Sequence, residues 1–217
     1  MSIKAVLFDH DGTLVDSEST HLALWRKAVE PFGGFITDDE YWHTLLGVPT
    51  EQNAADLIAL RGLQISVDEL VQAKLAHTNE FIQHSYFPQM EGADKIVRDL
   101  ADAIRLALVS GSLRMCVDAS LRGHNWTPLF EHIVTGDDVS RNKPDPASYK
   151  HALALMELDA VDCVAVEDTQ SGVRAATAAG LRTIAIRNQH SASHDFSSAA
   201  IEVPDLQTAY HWIKQQL

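Results

Sequence analysis

Basic side chains are scarce in this chain: 17 lysines and arginines stand against 30 aspartates and glutamates, a formal charge of −13 with histidine neutral. That sign repels nucleic-acid backbones and anionic lipid, so no nucleic-acid partner and no membrane partner is expected. Cysteine is scarcer still, with only Cys116 and Cys163, too few for a disulfide framework. No apolar run exceeds five or six residues, far below the roughly 20 that a membrane-spanning helix needs. Nothing like a signal peptide precedes the apolar run Ala5–Phe8, and a cytoplasmic location is the expectation. Low-complexity segments and internal repeats are absent, and with 46% hydrophobic and 22% charged residues the composition is that of a globular protein. A chain of 217 residues is long enough for one ordinary domain, or for a core domain carrying a smaller inserted one.

Short β-rich runs recur at Ile3–Phe8, Leu106–Val109, His132–Val134, Cys163–Val166, Thr183–Ile186 and Ile201–Val203. Most are apolar throughout, as strands covered on both faces must be. Helical spacing fills the intervals: Ile96, Val97, Leu100 and Ile104 share one stripe, and Tyr149, Ala152, Leu153 and Met156 another. Alternation of strand and helix predicts a doubly wound, parallel α/β sheet of Rossmann-like type. Gly180 follows an alanine-rich helix expected over Val173–Ala179 and is placed as its stop. A C-terminal helix is expected from about Leu206. The alternation fails between residues 16 and 86, where no strand pattern occurs but Leu22, Trp25, Val29 and Phe32 fall on one helical stripe. The expected organisation is a core made of residues 1–15 and 87–217, with residues 16–86 inserted after the first strand as a helical cap.

Chemistry concentrates at strand ends. In Phe8-Asp9-His10-Asp11-Gly12-Thr13, the two aspartates are two apart on a strand and so point the same way. Open α/β sheets bind ligands at the carboxyl ends of their strands, and Gly12 permits a sharp turn there. A calcium loop would need further oxygen ligands where Thr13, Leu14 and Val15 stand. A second acidic pair, Glu167-Asp168, ends the Cys163–Val166 strand; capping of the following helix is the alternative reading. Four carboxylates at one sheet edge repel one another unless they share a cation, and hard oxygen ligands suit Mg²⁺.

Two further segments fit a phosphate. The run Leu106–Val109 ends in Ser110-Gly111-Ser112, whose hydroxyls and turn N–H groups suit phosphoryl oxygens, although Ser-Gly-Ser is also an ordinary turn. Lys143, flanked by Pro144 and Pro146, offers a compact ammonium for a carboxylate and a bound phosphate. His190 and His194, four apart in a serine-rich stretch, lack a carboxylate companion and read as loop residues.

In this order and spacing the segments resemble the haloacid dehalogenase superfamily across nearly the whole chain, with closest likeness to its β-phosphoglucomutase-like phosphatases. Asp9-His10-Asp11-Gly12-Thr13 looks like the first motif of that family, Ser110 the second, Lys143-Pro144 the third and Glu167-Asp168 the fourth. Two departures are visible: His10 fills the variable place between the aspartates, and Ala147 stands where many members carry an acid.

The resemblance implies a phosphatase for a small phosphorylated metabolite. Asp9 would be the nucleophile and Asp11 the general acid and base. Mg²⁺ would be held by Asp9, Glu167, Asp168 and the Asp11 backbone carbonyl, and phosphate by Ser110, Gly111, Ser112 and Lys143. The insert would close over the core and read the leaving alcohol, with His21, Gly47 and Thr50 as candidate substrate contacts. A phosphosugar mutase is the nearest rival. It needs cations in the cap, where only Arg26, Lys27, Arg61 and Lys74 occur, and Thr50 stands where sugar mutases of the family carry an arginine. A phosphonate-cleaving relative would require Lys74 as a Schiff-base lysine. A catalytically silent binding module is the reading from another class. A monomer or weak dimer is expected.

Overall fold

The computed structural model describes residues 2–46, 48–188 and 191–217. It divides into two compact units, Met1–Asp16 with Phe87–Leu217, and Ser17–Tyr86.

The first unit is a six-stranded sheet of β1 (Ala5–Phe8), β2 (Arg105–Val109), β3 (His132–Val134), β4 (Cys163–Glu167), β5 (Arg182–Ile186) and β6 (Ile201–Val203). All pairings are parallel and the order is β3-β2-β1-β4-β5-β6. Every residue of β1 and β4 is buried, which is why these strands read as unbroken apolar runs. Tyr149, Ala152 and Met156 pack on Leu7, Ala107 and Ala165 to form the core on one face. The chain winds outward from β1 to β3, then crosses back and winds the other way through β4 to β6. The strand order therefore reverses between β1 and β4, and the carboxyl ends of these neighbours flank the crevice that such a reversal opens.

The second unit is helical, built from α1 (Glu18–Val29), α2 (Asp38–Glu40), α3 (Thr50–Arg61) and α4 (Val67–His84). Leu22, Trp25, Tyr41, Leu57 and Leu70 make its own apolar core. Capping boxes start α2, through Thr37 and Glu40, and α4, through Ser66 and Glu69. Phe32 is an exception to the stripe expected from its spacing: Pro31 lies in a 3₁₀ turn that follows α1, and Phe32 is exposed there. Where the chain leaves the first unit and re-enters it, the two passages are tied, Asp16 N–H donating to Pro88 O at 2.8 Å and Met90 N–H to Leu14 O at 2.8 Å.

The remaining helices, α5 (Ala93–Ala101), α6 (Arg114–Gly123), α7 (Ala147–Met156), α8 (Gln170–Ala178) and α9 (Leu206–Lys214), belong to the sheet unit. Helix α8 begins three residues earlier than its apolar pattern suggests, because the Thr169 hydroxyl accepts from Gly172 N–H at 3.1 Å and caps it. Gly180 adopts φ of +89° just after α8, a backbone geometry that glycine takes without steric cost. No described helix is long and apolar enough to cross a membrane.

Candidate active site

Parallel pairing sets Phe8 beside Leu108 on one side and Val166 on the other. The residues that follow, Asp9 after β1 and Asp168 after β4, therefore emerge together with Glu167, the last residue of β4. Asp9 N–H donates to Val166 O at 2.9 Å and locks this register. One carboxylate oxygen from each of Asp9, Glu167 and Asp168 lies within 4.8 Å of the others, and all three residues are buried.

Lys143 enters this group from the segment before α7. Its ammonium donates to Asp9 Oδ1 at 2.5 Å, Glu167 Oε1 at 2.7 Å and Val109 O at 2.8 Å, so all three donors are used. The Lys143-Pro144 peptide is cis. Tyr149 OH donates to the same Glu167 oxygen at 2.7 Å, and its ring lies 5.2 Å from the ammonium.

Burial, followed by repulsion from Glu167, outweighs the attraction of Lys143 and pushes the Asp9 carboxyl up to about 7. Asp168 is driven well upward by burial and by Asp9 and Glu167. Burial works against the Lys143 charge, but Asp9 and Glu167 overcome it and hold the ammonium above its ordinary range. Three acids thus face one cation in a dry pocket, and every donor of the group is a hard oxygen. A divalent cation fits that donor set and relieves its repulsion.

The Asp11 carboxylate is not a member of this group. Its Oδ2 accepts from the Ser112 hydroxyl at 2.7 Å and the Ser110 hydroxyl at 3.3 Å, and His10 Nδ1 lies 3.1 Å away. The convergence of four carboxylates expected from strand alternation is therefore three plus a neighbour, because β1 ends at Phe8 and the chain beyond it bends toward the turn at Gly12, where φ is +78°. The Ser110-Gly111-Ser112 turn is also more occupied than expected: Ser110 N–H donates to Val134 O at 2.9 Å and Ser112 N–H to Ser110 Oγ at 3.0 Å. Among the described residues only the Gly111 N–H of this turn has no partner. Asn142 braces the turn by donating to Gly111 O at 2.7 Å.

Two glycines make the close packing possible. A Cβ on Gly12 would overlap Asp168 Oδ2 and stand 2.8 Å from Asp168 Cγ, and one on Gly172 would overlap the Glu167 carboxylate.

Of the three substrate contacts expected in the helical unit, His21 and Thr50 lie within the described residues. His21 Nδ1 lies 3.4 Å from the ammonium of Lys74, a buried residue of α4. Thr50 is half-buried at the first residue of α3, and Gly47 lies outside the described residues. Arg26 is taken up by Ile36 O and Asp38, and Arg61 by Phe35 O and Glu40. His190 is likewise outside the described residues, while His194 Nδ1 accepts from Gln170 N–H at 3.3 Å at the start of α8.

Tyr149, Asn142 and Asn188, whose amide contacts Asp168, escaped the sequence reading. Only the hydrophobic stripe that includes Tyr149 hinted at any of them.

A doubly wound parallel sheet with a lysine-bridged acidic cluster at its reversal point has the form of a Rossmann-like α/β enzyme that binds its ligand at the strand ends. The model of the haloacid dehalogenase-like hydrolases matches residues 6–186, and the chain belongs to that family. Protein CbbY of Rhodobacter capsulatus is 31% identical over 96% of both chains. Validoxylamine A 7′-phosphate phosphatase of Streptomyces hygroscopicus subsp. limoneus is 28% identical over 96% of both. A crystal structure of a CbbY variant from Rhodobacter sphaeroides, in complex with xylulose 1,5-bisphosphate, superposes with a TM-score of 0.81 and 25% identity, covering 94% of this chain and 95% of that one.

Proposed function

We propose that this chain is a Mg²⁺-dependent phosphatase that hydrolyses a small phosphorylated sugar or similar phosphate monoester through an aspartyl-phosphate. The observation that carries the reading is Asp9, a buried carboxylate held by Lys143 inside the three-acid group at the sheet reversal. Lys143 occupies Asp9 Oδ1, which leaves Oδ2 to form the new bond to phosphorus as the bond from phosphorus to the alcohol oxygen breaks. Asp11 gives its proton to the departing alkoxide, then takes one from the water that attacks the acyl phosphate and frees Asp9 and inorganic phosphate. The Ser110 and Ser112 hydroxyls hold Asp11 in place for both tasks. Gly111 N–H supplies a donor for a phosphoryl oxygen, and the Lys143 ammonium, engaged by Asp9, Glu167 and Val109 O, supplies positive charge beside it. Asp9, Glu167 and Asp168 would hold Mg²⁺, which when bound offsets the repulsion between an anionic nucleophile and an anionic substrate.

Hydrolysis is favoured over transfer between two positions of one sugar. A mutase must hold a second phosphate, yet of the four cations in the helical unit the two arginines, Arg26 and Arg61, are spent on pairing within it, and Lys74 is buried beside His21, which leaves Lys27. The relatives named for phosphatase activity or solved with a sugar bisphosphate support the same class.

The test is phosphate release from a panel of sugar phosphates, sugar bisphosphates and other small esters, with and without Mg²⁺, using wild type and Asp9→Asn. Release that requires both Mg²⁺ and Asp9 is expected. Turnover retained by Asp9→Asn overturns the nucleophile, and isomerisation of a hexose phosphate without release makes the chain a mutase. Mg²⁺ binding without turnover across the panel leaves a binding module.

A further inference from the structure

We propose that Asn188 is a positioning residue for the cation site, clamping Asp168 so that one chosen oxygen is presented to the metal. The proposal rests on the metal reading above. Asn188 lies two residues past the end of β5, beside β4 in the sheet, and its Nδ2 donates to Asp168 Oδ2 at 2.9 Å.

The orientation of this amide is decided by its other end. Asn188 Oδ1 accepts from Ser191 N–H at 3.0 Å, which only an oxygen can do, so the NH₂ group must face the carboxylate. Ser191, itself buried, adds a hydroxyl 3.2 Å from Oδ1 and accepts from Asn188 N–H at 3.0 Å. Ser191 is fixed from outside by Arg187, whose guanidinium donates to Ser191 O at 2.7 Å, Ala192 O at 3.1 Å and His194 O at 3.3 Å while pairing with Glu202. The amide is thus braced by Ser191, which Arg187 in turn holds.

The same Asp168 Oδ2 also faces the backbone of Gly12, where a Cβ would overlap it. With Oδ2 engaged by Asn188, Oδ1 receives among the described residues a long 3.4 Å contact from the Thr13 hydroxyl and is the oxygen the proposal presents to a cation. A carboxylate fixed in this way loses less rotational freedom on binding metal, and an amide donor withdraws negative charge from one oxygen without cancelling it. Outer partners of this type are worth about 10- to 100-fold in metal affinity.

The experiment measures Mg²⁺ dissociation constants by calorimetry for the whole protein, wild type against Asn188→Ala, Asn188→Leu and Ser191→Ala, with Asp168→Asn as reference. Weakening by about 10- to 100-fold is expected for both Asn188 variants, and a smaller loss for Ser191→Ala. Metal-free melting temperatures should change little, and kcat should recover at saturating Mg²⁺, which a general loss of fold would not permit. Wild-type affinity that falls in Asp168→Asn but is kept within threefold in a folded Asn188 variant overturns the proposal. Should the Asn188 variants fail to fold, an unchanged constant in Ser191→Ala overturns the brace. Absence of Mg²⁺ binding by wild type would instead overturn the metal reading beneath it.

Discussion

Gly12 and Asp168 are in closer contact than any side chain at position 12 would allow, since a Cβ there would overlap Asp168 Oδ2 while the backbone holds φ at +78°. Gly12→Ala must therefore displace the carboxylate and strain the turn, the latter by about 1–2 kcal/mol for an L-residue in the left-handed region. The expected result is a loss of roughly 10- to 100-fold in Mg²⁺ affinity with a lowered melting temperature. Calorimetric titration beside a thermal melt checks both, and unchanged affinity would show that Asp168 can relax without cost.

Lys143 is expected to matter for folding as well as turnover. Its side chain is 8% exposed and it is the cation shared by Asp9 and Glu167. Removing one member of a buried ion pair leaves its partner uncompensated, a loss of about 3–5 kcal/mol. Lys143→Met should lose activity and lower the unfolding free energy of metal-free protein by about that amount. Added Mg²⁺ should restore part of the stability but not the activity. Urea unfolding with and without Mg²⁺ separates the two effects.

These relationships were not equally visible in the sequence. The strands were legible because parallel, doubly covered strands must be apolar on both faces, and the acids at the ends of β1 and β4 were legible because they interrupt that pattern. The family resemblance gave Lys143 its meaning, which a lone lysine between prolines does not carry. Tyr149 and Asn188 were invisible because their partners are set by which elements pack together: Tyr149 reaches Glu167 from α7, and Asn188 reaches Asp168 from the neighbouring strand end. The Asp11 carboxylate was misplaced for a local reason. Strand alternation stops at Phe8, before either aspartate, and two serine hydroxyls hold that carboxylate. Phe32 failed for another local reason, the proline beside it.

Mg²⁺ should stabilise the folded chain by mass action, because the three acids proposed to bind it converge only after folding. At a free concentration 100 times the dissociation constant the gain is about 2.7 kcal/mol, which for a chain of this size raises the melting temperature by roughly 5–10 °C. Equal ionic strength supplied as NaCl should not reproduce it. Differential scanning fluorimetry with Asp168→Asn as control decides the point, since a shift of equal size in that variant would place the stabilising ion elsewhere.

The helical unit carries its own acid-sensitive contact in Glu40. Its carboxylate accepts from Thr37 N–H at 2.9 Å and the Thr37 hydroxyl at 3.0 Å, and pairs with the Arg61 guanidinium. The backbone N–H of Thr37 first, and Arg61 next, hold this carboxyl down at about 2, against 4.5 for an ordinary glutamate. A folded-state value below the unfolded one means that the contact stabilises fully above the unfolded value and is lost as pH falls toward the folded value. The contribution of Glu40 should therefore be constant above about 5 and disappear between roughly 4.5 and 2. Glu40→Gln should lower the stability of the wild type at neutral pH and flatten its acid dependence across that window. Following the Glu40 carboxyl carbon by NMR gives the midpoint directly, and titration near 4.5 would mean that the Thr37 cap and the Arg61 pair do not hold the charge in solution.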